Sequence, residues 1–393
     1  MRAQVGIVGA GPAGLLLSHL LERRGVRSIV LETRSRDHIE KRVRAGVLEQ
    51  GTVDTLCAAG LGQRLVHEGM VHHGIELRFG GTAHRIAFED LVPGRAITVY
   101  GQQEVVKDLV AARLAAGGPI LFDVSDVRLE GLESEHPAVL YVADGQEVRL
   151  ECDFVAGCDG FHGVSRDAIP AGVLSVFERQ FPFAWLGILA AVAPSTRELI
   201  YAQNPRGFAL HSMRSPTVSR FYLQVEADDE LANWPDDRIW RELRARLETV
   251  PGWTLTEGPV IEKSITAMRS YVAEPMQFGR LFLAGDAAHI VPPAGAKGLN
   301  LAVADVRVLA EALAGWFDAG TRDRLDGYSA ARSRGVWRAQ HFSSWMTTLL
   351  HTFRDDDAYA RKLQQSHLEY LVRSRPAATS FAENYVGMET AST

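Results

Sequence analysis

The sequence predicts an α/β protein in three parts: a Rossmann-like dinucleotide-binding domain, a β-rich second domain and a helical C-terminal region. Three observations carry that prediction. The chain opens with a strand, a glycine-rich turn, a helix and a second strand. A further apolar strand delivers a Gly-Asp pair at residues 285–286, far along the chain. Between the two, apolar and polar residues alternate with the period of half-buried strands.

The opening unit reads "QVGIVGAGPAGLLLSHLLERRGVRSIVLETR". Val5 to Val8 predict a short buried strand. Gly9, Gly11 and Gly14 form G-x-G-x-x-G, with Ala13 inside the turn. The first glycine allows the tight turn, the second lets a pyrophosphate approach the backbone, and the third lets the helix pack on the strand. The helix through "LLLSHLLERRG" stops at Gly25. Its N-terminus offers N–H groups and partial positive charge to phosphates. The second strand, "SIVLE", ends in Glu32, placed to accept hydrogen bonds from an adenosine ribose. This unit predicts a dinucleotide site, and it fits FAD and NAD alike.

The second unit is "GRLFLAGDAAHIVPPAGAKGLNLAVADVRVLAEAL". Leu281 to Ala284 predict a strand, and Asp286 at its end suits a ribityl hydroxyl. The Pro/Gly loop leads into a helix from about Leu299. That helix start suits a flavin ring carbonyl, where negative charge develops on reduction. Gly-Asp alone is an ordinary strand–loop–helix connection. Paired with the opening unit, it favours FAD. A third stretch, "GCDGFHGVSR", follows the strand-like run "CDFVAG". Its glycines and Asp159 predict another close backbone approach, with His162 and Arg166 just beyond.

At 393 residues the chain predicts more than one domain. The boundaries read as 1–175 for the dinucleotide domain, with a hairpin inserted at about 74–89. The β-rich domain spans 176–268, a return to the first domain spans 269–298, and the helical region spans 299–393. A net charge of −6 argues against a basic nucleic-acid surface. Cys57, Cys152 and Cys158 are odd in number and widely spaced, without C-x-x-C. Neither a disulfide framework nor a zinc site is expected, so no metal is predicted and a reducing, cytoplasmic compartment is. The apolar run "FAWLGILAAVA" is about half a membrane span, so no membrane association is expected. The apolar N-terminus is broken by G-x-G-P and lacks a basic lead, which argues against a signal peptide.

"HSMRSPTVSRFY" predicts a hairpin by strand parity. Ser212 and Arg214 share one face, "SPT" turns, and Arg220 and Tyr222 share a face on the return. Such a wall either binds a carboxylate through a guanidinium fork and two hydroxyls, or is a solvated hairpin with polar cross-strand pairs.

Together the G-x-G-x-x-G unit, the "CDG" and the "GD" stretch resemble the class A flavoprotein aromatic hydroxylases. "RAGVLEQG", "LIYAQNPRGFAL", "EPMQFGRLFLAGDAAHIVPP", "GAKGLNLA" and "AENYVG" extend the resemblance from the first strand to Tyr385. It implies a GR2-type FAD-binding domain, NADPH or NADH and O2 as cosubstrates, and a homodimer. The implied reaction hydroxylates 4-hydroxybenzoate to 3,4-dihydroxybenzoate (protocatechuate) through a C4a-hydroperoxyflavin, in aromatic catabolism. The same chemistry on another para-hydroxylated aromatic acid is the alternative. A pyridine-nucleotide dehydrogenase without flavin and a flavin-binding ligand sensor are readings of other classes, and Gly285-Asp286 argues against the dehydrogenase.

The resemblance also implies roles. Ser212, Arg214 and Tyr222 would hold the carboxylate. Tyr201, Tyr385 and His72 would carry the phenol's proton toward water, with Pro293 against the substrate ring. Arg42, Arg44, Val47, Gln102, Arg220, Leu299 and Asn300 would join Gly9, Gly11, Ala13, Gly14, Glu32, Asp159 and Asp286 around FAD. Trp185 would flank the flavin. Arg34, His38, Arg42, His162, Arg166 and Arg269 would meet the nicotinamide nucleotide. Two departures stand out. Thr33, Arg34 and His38 differ from the pattern expected for NADPH, with Glu40 adding negative charge, which leaves NADH open. Ala294 stands where a threonine is expected, which predicts looser selection among ring-substituted acids.

Overall fold

The computed structural model describes residues 1–43 and 46–387. The first third runs β1 (Val5–Val8), α1 (Pro12–Glu22), β2 (Ser28–Leu31), α2 (Arg36–Lys41), β3 (Val47–Glu49), α3 (Gln50–Ala58) and α4 (Gly62–Glu68). It continues with β4 (Met70–His72), β5 (Gly74–Phe79), β6 (Thr82–Ala87), α5 (Phe88–Leu91), β7 (Ile97–Val99), α6 (Gln102–Ala115) and β8 (Ile120–Leu121). The middle holds β9 (Ser125–Glu130), β10 (Ala138–Ala143), β11 (Gln146–Glu151), β12 (Phe154–Gly157), β13 (Ser175–Ala190), β14 (Ile200–Ala202), β15 (Ala209–Ser215) and β16 (Val218–Glu226). Then come α7 (Asp236–Leu247), β17 (Val260–Glu274), β18 (Gln277–Phe278), β19 (Leu281–Leu283) and β20 (His289–Ile290). The chain closes with α8 (Gly298–Ala319), α9 (Asp323–Asp326), α10 (Tyr328–Leu350), α11 (Ala358–Arg373) and α12 (Arg375–Val386).

The first sheet has the order β18-β19-β12-β1-β2-β8. Its four central strands, β19, β12, β1 and β2, run parallel. All four are wholly buried, as expected for strands covered on both faces. The helices α1 and α8 cover it with Leu15, Leu16, Val306 and Leu309 in one apolar cluster. The three strands β9, β10 and β11 form a small antiparallel sheet.

The second large sheet has eight strands in the order β20-β17-β13-β16-β15-β14-β5-β6. Two findings revise the domain boundaries. The hairpin β5–β6 pairs with β14, so it extends the large sheet rather than sitting as an insert in the dinucleotide domain. The boundary drawn at 268/269 falls inside β17, which is one continuous strand from Val260 to Glu274. A register cue explains the miss: both segments alternate, and alternation does not say which sheet a strand joins. The C-terminal region is helical through Val386.

Candidate functional site

The parallel strands deliver Gly9, Glu32, the "CDG" loop and Gly285 to one edge, since each follows the C-terminal end of its strand. Gly9 has φ +102, and a Cβ there would meet the Cys158 carbonyl at 2.4 Å. A Cβ on Gly14 would sit 2.0 Å from the Gly9 carbonyl, so this glycine sets the close fit of α1 on β1. Gly11 behaves differently: its Cβ would meet nothing within 4 Å. It is also the N-cap of α1, with no side chain capping the helix and with Pro12 next. Ala13 is buried behind it. Open space, bare N–H groups and a helix dipole therefore face the same side. Glu32 is oriented by backbone: Oε2 accepts from Ala10 N and Oε1 from Arg34 N, each at 2.8 Å.

Asp159 Oδ2 accepts from Ser165 N at 2.8 Å. Its Oδ1 is buried with no partner, and burial raises the carboxyl's pKa. Asp286 is exposed on the turn that follows β19. That turn is pinned by a cluster the sequence reading missed. Asp305 on α8 is fully buried and accepts from Gly285 N at 2.9 Å, from His289 Nε2 at 2.7 Å and from Arg332 Nε at 2.7 Å. Burial opposes its charge, but His289 and Arg332 outweigh it and hold its pKa below the ordinary value.

At the start of α8, Asn300 ties two chain segments together. Its Nδ2 donates to the Val47 carbonyl at 3.0 Å, and its Oδ1 accepts from Glu49 N at 2.9 Å and Thr52 Oγ1 at 2.8 Å. Val47 and Asn300, expected at the flavin ring, are therefore neighbours. Leu299 is half-buried beside them, and Gln102 opens α6 next to them through the Tyr100–Gly46 backbone bond. Lys297 also escaped the sequence reading. Its buried ammonium contacts Glu49 Oε1 at 2.5 Å and the Asn384 and Tyr385 carbonyls. Like Gly11, Gly298 faces open space at an uncapped helix start. Arg42 is exposed at the end of α2. Arg44 lies outside the described residues.

The parity argument for the hairpin holds in register. Leu210 pairs with Tyr222 and Ser212 with Arg220. The row continues outward: Tyr201 pairs with Leu210, and Gly187 with Tyr222. Tyr201, Ser212, Arg220 and Tyr222 thus share one face of the sheet. Arg214 sits where the register slips between Met213 and Ser215. Its Nη1 donates to Ser212 Oγ at 3.2 Å and its Nη2 to Tyr222 Oη at 3.4 Å, while Nε is buried without a partner. Arg220 is buried, with Nε and Nη1 lacking hydrogen bonds and its carboxylate, Glu262, no closer than 3.9 Å. A Cβ on Gly187 would press on Arg220 Nη2 at 2.7 Å, so glycine makes the room. Two guanidiniums with unused donors on one wall call for an anion.

Tyr201 and Tyr385 meet with hydroxyl oxygens 2.6 Å apart, both fully buried. Burial raises both pKa values, so each stays a neutral phenol. Phe88, Phe342 and Phe381 pack on Tyr385. His72 on β4 is buried, and neither ring nitrogen has a protein partner. Burial lowers its pKa to about 4. The structure joins the two tyrosines directly and leaves His72 unbonded to either. Pro293 is exposed on the loop before α8, and Ala294 is buried in the same apolar cluster as Tyr201 and Tyr385.

His162, Arg166 and Arg269 gather about Phe161, a residue sequence reasoning passed over. Arg166 also donates to the Phe161 and Ala287 carbonyls at 2.7 and 3.2 Å and lies over Tyr271. Arg34 is exposed before α2, and His38 is exposed on it. On α2 itself, Arg36 pairs with Glu40 and Lys41 with Asp37, both at 2.7 Å. Among the described residues no cluster could hold a metal, and no helix is long and apolar enough to cross a membrane.

Open glycines, two bare helix starts, the oriented Glu32 and the unpartnered Asp159 oxygen fit FAD. Comparison with known proteins agrees. The family described as FAD binding domain matches residues 2–343. The p-hydroxybenzoate hydroxylase of Acinetobacter baylyi is 47% identical over 388 residues, covering 99% of this chain and 96% of that protein. The rifampicin monooxygenase of Streptomyces venezuelae is 28% identical, over 83% of this chain and 67% of its own. In fold, p-nitrophenol 4-monooxygenase from Pseudomonas putida superposes with a TM-score of 0.85 over 99% of both chains, at 20% identity.

Proposed function

The chain belongs to the FAD binding domain family, among the flavoprotein aromatic hydroxylases, and on that premise we propose that it hydroxylates 4-hydroxybenzoate to 3,4-dihydroxybenzoate. One observation carries the substrate reading. The wall has guanidiniums with unused donors at one end and a buried pair of phenols at the other. Tyr201 and Tyr222 lie two strand spacings apart, about 10 Å along the sheet. A benzene ring with para-placed carboxylate and hydroxyl spans such a gap between side chains.

Arg214 would take the carboxylate as a fork, with the Ser212 and Tyr222 hydroxyls adding one bond each. The substrate hydroxyl then meets Tyr201. Because both tyrosines stay protonated, Tyr201 donates to a phenolate while Tyr385 donates to Tyr201, and the pair passes the proton along rather than keeping it. His72 ends the path as a neutral imidazole, which can accept a proton at one ring nitrogen only as it releases one from the other. The phenolate enriches the ring carbon beside it. FAD, when bound, supplies reduction of O2: one oxygen atom goes to that carbon and the other leaves as water. NADH or NADPH provides the two electrons. The apolar packing around Tyr385 keeps bulk water out.

His162, Arg166 and Arg269 form the cationic face we assign to the nicotinamide nucleotide, with Arg34, His38 and Arg42 at its adenosine end. The carboxylates of Asp37 and Glu40 offset the cations of α2, which supports NADH as a competent donor. We place the protein in the cytoplasm, as three free thiols favour, and assemble it as a homodimer through its helical region. Buried Ala294, lacking a hydroxyl, favours a second substrate reading, other para-hydroxylated acids.

Purified protein should be yellow. Its NADH or NADPH oxidation and O2 uptake should rise with 4-hydroxybenzoate in a panel of hydroxybenzoates. Nucleotide oxidation indifferent to every acid refutes the substrate, and a colourless protein that takes up no FAD refutes the class.

A further inference from the structure

His351 is a buried residue with no place in the chemistry above. It follows the last turn of α10 and is fully buried. Trp185 on β13 donates from its indole Nε1 to His351 Nε2 at 2.7 Å. An indole nitrogen can only donate, so Nε2 must be the acceptor. The ring proton is then on Nδ1, which donates to the Thr347 carbonyl at 2.9 Å. One tautomer is fixed from both sides. The imidazole is also clamped flat, 4.6 Å from the Phe183 ring at 9° and 4.4 Å from Phe208. Burial pushes its pKa down to about 3, so it stays neutral.

Trp185 in turn packs on Tyr222, ring centroids 4.9 Å apart. Tyr222 is only partly buried and receives a long 3.4 Å bond from Arg214. The Arg220 guanidinium lies over the same ring, 5.2 Å from its centroid. We propose that His351 is a positioning residue: through the Trp185 indole it sets the Tyr222 ring and so the affinity of the carboxylate site. This rests on the aromatic-acid reading above. It assigns the C-terminal helices a part in substrate selection on a sheet they do not belong to.

The test titrates 4-hydroxybenzoate into FAD-loaded protein and reads the dissociation constant. His351→Phe keeps the aromatic stack and removes both the Nε2 acceptor and the Nδ1–H donor to the Thr347 carbonyl, leaving the buried Trp185 N–H unpaired. Its dissociation constant should rise about tenfold, the weight of one such hydrogen bond. His351→Gln, which restores an acceptor, should recover most of that loss. In a Trp185→Phe background no N–H remains, so adding His351→Phe should change affinity by less than about twofold. Equal losses in both backgrounds, or no rescue by Gln, overturn the proposal, as does unchanged affinity in the single variant. No binding by the unaltered protein overturns the substrate reading and this proposal with it.

Discussion

At the scale of residues, the site depends on donors with fixed geometry. Arg214→Lys replaces a planar fork by a point charge. Loss of about 2 kcal/mol should raise KM for 4-hydroxybenzoate roughly thirtyfold. Tyr201→Phe removes the hydroxyl we assign as the first proton carrier. It should lower turnover about a hundredfold and move KM little. Steady-state kinetics on both variants checks the pair, and a reversed pattern would reassign the two ends of the pocket. Much of this wall was legible in "HSMRSPTVSRFY", because side-chain parity is local. The slip in register at Arg214 was not. Lys297 and Glu49 were not legible either. They lie 248 residues apart, and no local pattern pairs them.

At the scale of elements, α8 does two tasks. Its first turn faces open space, and its second carries Asp305 into the sheet edge. Asp305→Asn would strand His289 and Arg332 without a countercharge. Breaking a buried pair of this kind costs about 3 kcal/mol or more. A fall in melting temperature, together with weaker FAD retention by the apoprotein, is expected in thermal scans and FAD titration. Unchanged FAD affinity would reduce the cluster to a packing device. The sequence reading placed this helix to within a residue, at Leu299 against Gly298. It read the glycine turn and the strand before it because both rest on backbone sterics. It did not see the charge cluster, whose members lie on three separate elements.

At the scale of the whole molecule, three histidines are buried and neutral. Burial lowers His72 to about 4 and His211 and His351 to about 3. An unfolded chain protonates histidine near pH 6.5. Below that pH the unfolded state binds protons that the native state refuses, so stability falls as pH drops from about 6.5 toward 4. Above it the contribution is complete. Melting temperatures should be flat from about pH 8 to 7 and decline steadily below 6.5. A curve flat to pH 5 would show that these rings are solvated. The division into two sheets was foreseen, but the owner of each strand was not, since alternation marks a face and not a neighbour.

The long pairing of β13 with β17, bulged between Gln180 and Ala184, has a further consequence. From Ser175–Glu274 to Ala190–Val260, the two strands are partnered along nearly their whole length. One end carries Arg269 and Tyr271 to the Phe161 group, while the other backs the pocket wall at Gly187. Among the described residues no loop interrupts β13 or β17 between the group we assign to the nicotinamide nucleotide and the wall we assign to the acid. Moving one against the other would have to bend these paired strands, and a cut within either would break into the eight-stranded sheet. Traffic between those stations then falls to whatever is bound there and to the loops, over a shared girder of paired strands.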